Sequence, residues 1–190
     1  MGIISRQKVK QFLISGCYDT PENYLKRHGV KVGKNCFISP CHLSTSEGYL
    51  IEIGDYCRIA KDTEFFTHGM LYGIRVLKQD PKLDYFGKIK IGDFVSIGEG
   101  CKILAGVTIG NNVIIGAGSV VSKSIPDGYV VAGNPIRHIG YTDQWYQSIK
   151  VVDLESGDMS AEEKKNFLLS LPDDKFIQKP YIKSKDNSDS

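Results

Sequence analysis

The sequence predicts an all-β core folded as a parallel β-helix of about five triangular coils. Three observations carry this prediction: an aliphatic residue recurs every six positions, glycine or another small residue often follows it, and a small or branched residue fills the fifth place. Between residues 91 and 126, consecutive sextets keep this frame without a slip. They begin at Ile91, Ile97, Ile103, Ile109, Ile115 and Val121, and the same frame occurs upstream at Val32, Ile53, Ile59 and Phe65.

A period of six excludes the commoner regular structures. An α-helix repeats every 3.6 residues and a flat strand every two, so neither places an aliphatic residue beside glycine at every sixth position. A short strand followed by a tight corner does, and three such sides make a coil of about 18 residues. The aliphatic side chains then stack on their equivalents about 4.8 Å away in the next coil. The unbroken frame disfavours the alternative, a glycine-rich β-sandwich.

The overall composition is typical of one globular domain with modest appendages. Of 190 residues, 41% are hydrophobic and 24% charged, which is an ordinary balance. The net charge of +2, from 24 basic and 22 acidic residues, is too even to indicate nucleic acid or an anionic membrane as the main partner. No apolar run reaches the roughly 18 residues of a membrane span, and the first residues match neither a signal peptide nor a myristoylation motif. We therefore expect a cytoplasmic protein without membrane insertion.

The five cysteines predict neither a disulfide framework nor a metal site, because their number is odd and no CxxC pair is present. Cys36, Cys57 and Cys101 occupy the fifth place of sextets and are predicted to be small core-facing residues. Cys41 and His42 are neighbours, but no further ligand stands at a workable spacing. No metal is predicted.

The N-terminal segment, residues 1–29, is predicted to be a helical arm. Thr20 is a suitable N-cap, Pro21 suits the first helical position, and Gly29 ends the second helix. The β-helix is then expected over residues 30–140, with a loop or distorted coil at 40–50, where the frame breaks.

The C-terminal segment, residues 141–182, is predicted to contain a helix. Ser160 and Glu163 form a capping box ahead of it. The last residues, 183–190, are polar and are predicted to be disordered.

A segment over residues 69–88 interrupts the repeat and is too long for a corner. Long loops on a rigid scaffold are commonly functional or disordered, and this one is too apolar for disorder. We expect an arm that packs over a site or against a neighbouring subunit.

The middle of the chain resembles a known family. The motifs IGAGSVV, SKSIP and AGNPIR, together with the sextets, are similar to the hexapeptide-repeat acetyltransferases, above all to the maltose/galactoside and surface-polysaccharide O-acetyltransferases. The resemblance covers residues 30–140. It implies a left-handed parallel β-helix, a homotrimer, acetyl-CoA in the groove between adjacent subunits, and a histidine base near the start of the protruding loop.

In this sequence the residue matching that base is His68, in FFTHG. Transfer of an acetyl group to a hydroxyl requires a base for the acceptor proton, a task that histidine performs near neutral pH. Donors for the oxyanion and a fixed thioester complete the requirement. The alternative is a histidine that only anchors the loop.

For the cosubstrate, the resemblance points to Ala117 beside the pantetheine, Ser122 and Lys123 at the next corner, and Arg137 on the phosphates. Lys123 could equally be a solvated corner lysine, and Ala117 could matter only for its small size. Glu99 stands where some relatives carry a small polar residue, so its role is open. Gly140 stands where some relatives carry a second basic residue, which implies weaker binding of the phosphates of the cosubstrate.

The acceptor is expected to be a sugar, with Tyr72, Arg75 and Tyr85 of the loop as candidate contacts; aromatic packing is the alternative for these residues. Three other functions remain open at this point. They are an antibiotic-inactivating or amino-sugar N-acetyltransferase of the same fold, a carbonic-anhydrase-like β-helix, and a non-catalytic assembly module. The second would need three zinc-binding histidines, and only His68 lies in the right region.

Overall fold

The computed structural model describes residues 20–44 and 46–181. The chain divides into two compact units, one ending at Gln144 and one beginning at Trp145. The helix predicted over the first part of the N-terminal arm, residues 5–16, lies outside the described residues, as does the tail predicted to be disordered, 183–190.

The first unit is a parallel β-helix built from three sheets. The strands are β1 Lys31–Val32, β2 Phe37–Ile38, β3 His42–Leu43, β4 Ile51–Ile53, β5 Arg58–Ile59, β6 Glu64–Phe65, β7 Ile89–Ile91, β8 Ser96–Ile97, β9 Lys102–Ile103, β10 Thr108–Ile109, β11 Ile114–Ile115, β12 Val120–Val121, β13 Tyr129–Ala132 and β14 Arg137–Tyr141. Through β12, each sheet takes every third strand in turn, and β13 and β14 then extend the second sheet. The first sheet has the order β1-β4-β7-β10, the second β2-β5-β8-β11-β13-β14 and the third β3-β6-β9-β12. Every pairing is parallel except that of β13 with β14. This arrangement fits the left-handed β-helix that the sequence predicts.

The register places the aliphatic residues of the sextets on top of one another. Ile59 pairs with Ile97 and Phe65 with Ile103, and all residues that begin the six unbroken sextets are buried. Burying an aliphatic side chain of this size stabilises the fold by about 1.5–3 kcal/mol. The stack of such residues is therefore the core.

The glycines at the second place of the sextets serve close approach between coils. Gly92 has no left-handed φ, but a Cβ on it would lie 2.6 Å from Asn111 Oδ1 and 2.8 Å from the carbonyl carbon of Gly110. That space is taken by a ladder of side chains, each accepting a backbone N–H from the coil below. The ladder runs from Lys34 N to Asp55 (2.7 Å), Asp55 N to Asp93 (2.7 Å), Asp93 N to Asn111 (2.8 Å) and Asn111 N to Asp127 (2.8 Å).

The N-terminal helix within the described residues is α1, Pro21–Arg27, and it begins and ends where the sequence predicts. Thr20 Oγ1 accepts from the N–H of Asn23, and Pro21 occupies the first turn. Gly29 follows with a left-handed φ of 89°.

Two interruptions of the repeat are more ordered than predicted. Within the segment 40–50, the strand β3 keeps its register with β6, so His42 lies on a regular strand, and a short 3₁₀ helix follows at Gly48–Leu50. The long loop contains a helix, α2, Tyr72–Leu77.

After β14, helix α3 spans Thr142–Lys150 and helix α4 spans Ala161–Ser170. The capping box of α4 is present, with Ser160 and Glu163 each bonded to the other's backbone N–H. A 3₁₀ turn at Asp173–Lys175 comes next. None of the helices in the described part of the chain has the length and apolar character needed to cross a membrane.

Candidate active site

His68 lies where the chain leaves the β-helix to form the loop. It comes three residues after the buried Phe65 of β6, and Thr67 between them is fully buried. The amide of Phe66 still donates to Ile103 O at 2.9 Å. The backbone is therefore held by the coil almost up to His68.

The other side of His68 is held by the returning end of the loop. His68 and Phe86 form an antiparallel bridge, and Gly87 N donates to Thr67 O at 2.8 Å. The rings of His68 and Phe86 meet edge to face with centroids 5.7 Å apart. We call this two-residue pairing of 67–68 with 86–87 the neck of the loop.

The imidazole of His68 is bonded to a partly buried carboxylate. Glu47 Oε2 lies 3.0 Å from His68 Nδ1 and 3.2 Å from Thr67 Oγ1, and Glu47 Oε1 accepts from Ser46 Oγ at 2.6 Å. The Glu47 side chain is 15% exposed and that of His68 35%. A carboxylate only accepts hydrogen bonds, so this contact assigns the hydrogen of the neutral ring to Nδ1 and makes Nε2 the basic nitrogen.

Glu47 and Phe86 were not among the residues that the sequence predicts for the site. Glu47 lies in the segment 40–50, where the repeat breaks, and it is the only acid there. An isolated acidic residue in a break of the repeat was the sequence feature that could have identified Glu47 as a site residue. Phe86 had no signal beyond its place near the end of the loop.

The structure brings Lys123 and Arg137 together. Both line a pocket of about 130 Å³ whose other walls include Tyr129, Ile136 and His138. The rings of Tyr129 and His138 have centroids 4.3 Å apart. Two exposed cations beside aromatic and aliphatic walls suit a ligand that carries phosphates on a partly apolar body.

Ala117 and Glu99 lie close together at a different corner of the β-helix, Glu99 between β8 and β9 and Ala117 between β11 and β12. Gly118 N donates to Glu99 O at 2.7 Å, and a Cβ on Gly98 would meet Ala117 N at 2.5 Å. The two exposed residues therefore occupy the same corner in successive coils.

The candidate residues lie at two different edges of the β-helix. One edge is formed by residues that follow a strand of the third sheet, before the chain enters the first sheet or β13 of the second. It contains His68, Ser122 and Lys123, and we call it the His68 edge. Glu99 and Ala117 lie between strands of the second and third sheets, which we call the Ala117 edge. The sheet β3-β6-β9-β12 separates the two edges.

The three candidate acceptor contacts of the loop do not lie at one place. Tyr72 and Arg75 line a pocket of about 320 Å³ together with Val76, Gln79 and Pro81. Arg75 is tied within the loop, since its Nη2 lies 3.1 Å from Asp84 Oδ2 and its Nε donates to Leu83 O at 2.6 Å.

Tyr85 does not line that pocket. Its hydroxyl lies where a Cβ of Gly69 would be, directly after His68 in the chain. Of the three acceptor candidates, Tyr85 is the one packed against the residue that follows the candidate base.

Two of the described cysteines, Cys41 and Cys57, are unsuited to nucleophilic chemistry. Burial raises the pKa of the Cys41 thiol to about 12 and, as the largest cause, that of Cys57 to about 11. The reactive thiolate is therefore scarce at neutral pH. Cys57 and Cys101 are buried as predicted, whereas Cys36 is partly exposed. Across residues 20–44 and 46–181, no three His, Cys, Asp or Glu side chains are grouped to hold a metal ion.

Comparison with known proteins assigns the family. The model of the family described as "Bacterial transferase hexapeptide (six repeats)" matches residues 88–123. Protein CapG of Staphylococcus aureus is 40% identical over 156 residues, which cover 78% of this chain and 87% of that protein. A galactoside O-acetyltransferase of Lactococcus lactis is 33% identical over 153 residues, covering 69% and 74% respectively. The chain belongs to the bacterial hexapeptide transferase family.

A solved structure supports the same assignment. A hexapeptide-repeat-containing acetyltransferase from Vibrio cholerae, crystallised with acetyl-coenzyme A, has a TM-score of 0.52 and 26% identity. The similarity covers 72% of this chain and 86% of that one. The predicted family membership is thereby confirmed.

Proposed function

We propose that this protein transfers the acetyl group of acetyl-CoA to a hydroxyl of a sugar or sugar-containing acceptor, with His68 as the general base. The observation that carries the proposal is the setting of His68, which is held between a partly buried carboxylate and the neck of the loop. The galactoside O-acetyltransferase among the relatives and the acetyl-CoA complex of the Vibrio protein support the class of donor and acceptor.

His68 Nε2 removes the proton of the acceptor hydroxyl as its oxygen attacks the thioester carbonyl. A carbon–oxygen bond forms, and the tetrahedral oxyanion is stabilised by backbone N–H donors of the rigid coils. The carbon–sulfur bond then breaks, and His68 returns the proton to the sulfur of CoA. Proton and acetyl group are both accounted for, so no metal or further cofactor is needed for the balance.

For the cosubstrate, Lys123 and Arg137 are proposed to bind the phosphates, since the two cations share one pocket. Ser122 precedes Lys123 at the same corner and is proposed to assist there. Ala117 is proposed to lie along the pantetheine, with Glu99 one coil away on the same edge.

We further propose a homotrimer whose sites are shared between chains. Within one chain, the His68 edge and the Ala117 edge are separated by a sheet, so one chain cannot gather His68 and Ala117 in one groove. A neighbour that presents its Ala117 edge to the His68 edge would complete the site. Threefold closure is a standard solution for such a head-to-tail contact.

The acceptor is proposed to lie near the neck, where Tyr85 adjoins the residue after His68, with Tyr72 and Arg75 further along the loop. An amine acceptor on an amino sugar or an antibiotic is the alternative that the same base would serve. A cytoplasmic location remains a prediction.

The test is release of free thiol from acetyl-CoA across a panel of sugars, nucleotide sugars, amino sugars and antibiotics. With the best acceptor, His68→Ala should lower kcat by roughly 10² to 10⁴-fold, as expected for a general base, with little change in KM for acetyl-CoA. His42→Ala is the matched control, because His42 lies half-exposed on a regular strand of the same sheet. Near-normal turnover of His68→Ala would contradict the proposal.

A further inference from the structure

We propose that Glu47 is a positioning residue, which holds His68 in the tautomer that makes Nε2 the proton acceptor. This inference rests on the proposed function. Glu47 is not proposed to touch the acceptor or acetyl-CoA; it acts through the histidine.

The carboxylate of Glu47 is itself held in place on both of its oxygens. Ser46 Oγ donates to Oε1 at 2.6 Å, while Thr67 Oγ1 and His68 Nδ1 lie 3.2 and 3.0 Å from Oε2. Thr67 is fully buried, so the hydroxyl that fixes Oε2 cannot swing into solvent. A carboxylate fixed from two sides and 15% exposed presents a constant acceptor to Nδ1, and its low exposure strengthens the bond.

The chemistry requires such an acceptor. A neutral imidazole carries one hydrogen, and only the nitrogen without it can take a proton. If the hydrogen sat on Nε2, that nitrogen could not accept the acceptor proton. Glu47 prevents this, because a carboxylate facing Nδ1 requires the hydrogen there.

The same carboxylate supports the next step. When Nε2 takes the acceptor proton, the ring becomes a cation, and the negative charge 3.0 Å from Nδ1 stabilises it. Glu47 exchanges no proton itself; the proton passes from the acceptor hydroxyl to Nε2 and then to the sulfur of CoA.

Kinetic comparison of three variants separates these contributions. Glu47→Ala removes both the acceptor and the charge, and Glu47→Gln keeps an acceptor oxygen without the charge. Glu64→Ala is the control, since Glu64 is a carboxylate on β6 whose partner is Lys102 at 2.6 Å. With acetyl-CoA and methyl β-D-galactoside, or a faster acceptor from the panel, kcat should fall about 10²-fold for Ala and less for Gln, at unchanged KM for acetyl-CoA. Glu64→Ala should keep its kcat.

The tautomer is read directly by ¹⁵N NMR of histidine-labelled protein without substrate, with the His68 signals assigned from their loss in His68→Ala. The wild-type His68 should carry its hydrogen on Nδ1, and Glu47→Ala should shift the ring toward the Nε2–H form. His28 is an internal control, because its Nδ1 lies 2.8 Å from Tyr24 O and its tautomer should not change. Unchanged His28 signals also show that the variant is folded.

An unchanged His68 tautomer in a folded Glu47→Ala variant, or kcat within twofold of wild type, would overturn the inference. If the wild-type protein releases no thiol with any acceptor, the proposed function fails. The NMR result would still decide whether Glu47 orients His68.

Discussion

Replacing Gly87 with alanine should disrupt the site through the neck of the loop. A Cβ on Gly87 would lie 2.7 Å from the carbonyl carbon of Ala105 and still closer to Gly106 N, and these are backbone atoms that cannot rotate away. Ordinary van der Waals contact begins at 3.4 Å, so relieving the contact with the carbonyl carbon of Ala105 alone requires a movement of roughly 0.7 Å, and clearing Gly106 N requires more. Overpacking of this kind costs about 1–3 kcal/mol of stability.

The displacement acts next to the candidate base, because Gly87 N donates to Thr67 O and the next pair is His68 with Phe86. A misplacement near 1 Å can lower a rate about 10²-fold. We expect a loss of this order in kcat for Gly87→Ala, at unchanged KM for acetyl-CoA, measured by thiol release below the melting temperature of the variant.

Gly73→Ala is the matched control. Gly73 lies within α2 of the same loop, and a Cβ on it would meet no atom within 4 Å. Alanine in a helix is favoured over glycine by about 0.5–1 kcal/mol, so this variant should keep full activity and a similar or higher melting temperature. If Gly87→Ala keeps its kcat within threefold, or Gly73→Ala loses as much, the neck does not position His68.

Two further predictions concern the cosubstrate and the assembly. Lys123→Ala and Arg137→Ala should weaken binding of CoA, measured by calorimetry, but leave binding of a pantetheine fragment without the nucleotide phosphates unchanged, because charge-assisted contacts are lost only with CoA; equal losses for both ligands would indicate a structural role. Light scattering should give a mass near three times 21.1 kDa. Mixing His68→Ala chains with chains inactivated at the Ala117 edge by Ala117→Trp should restore part of the activity, whereas a fully active monomer would exclude shared sites.

The coils could be predicted from the sextets because the residue that begins each sextet is itself a core residue. The residue that begins a sextet stacks on its equivalent in the next coil. The same packing requirement therefore recurs in each coil and leaves a regular pattern in the sequence. The role of the glycines was less accessible. Gly92 could be read as a turn residue, yet it is needed because Asn111 Oδ1 takes the space of its Cβ. The repeat places Gly92 and Asn111 about one coil apart, but it does not show that the Asn111 side chain folds into the space beside the glycine.

The partner of His68 was missed for a similar reason. Glu47 and His68 are 21 positions apart, and the loop between β3 and β4 breaks the frame that would have aligned them. His68 itself was predicted from the motif that it matches in related proteins. The contact that defines its tautomer depends on how the chain returns from β3 to β4, which no periodic pattern encodes.

The phase of the repeat also bears on how the site is assembled. Phe65 pairs with Ile103, so His68 stands in register with the corner that contains Gly106, one coil below the corner of Lys123. Glu99 and Ala117 are out of phase with that edge by one side of the triangle. A site that needs residues from both phases cannot close within one straight β-helix, because each edge runs parallel to the axis and never meets the other. The distribution of the candidate residues over two edges is therefore the strongest argument in this chain for a groove completed by a second copy.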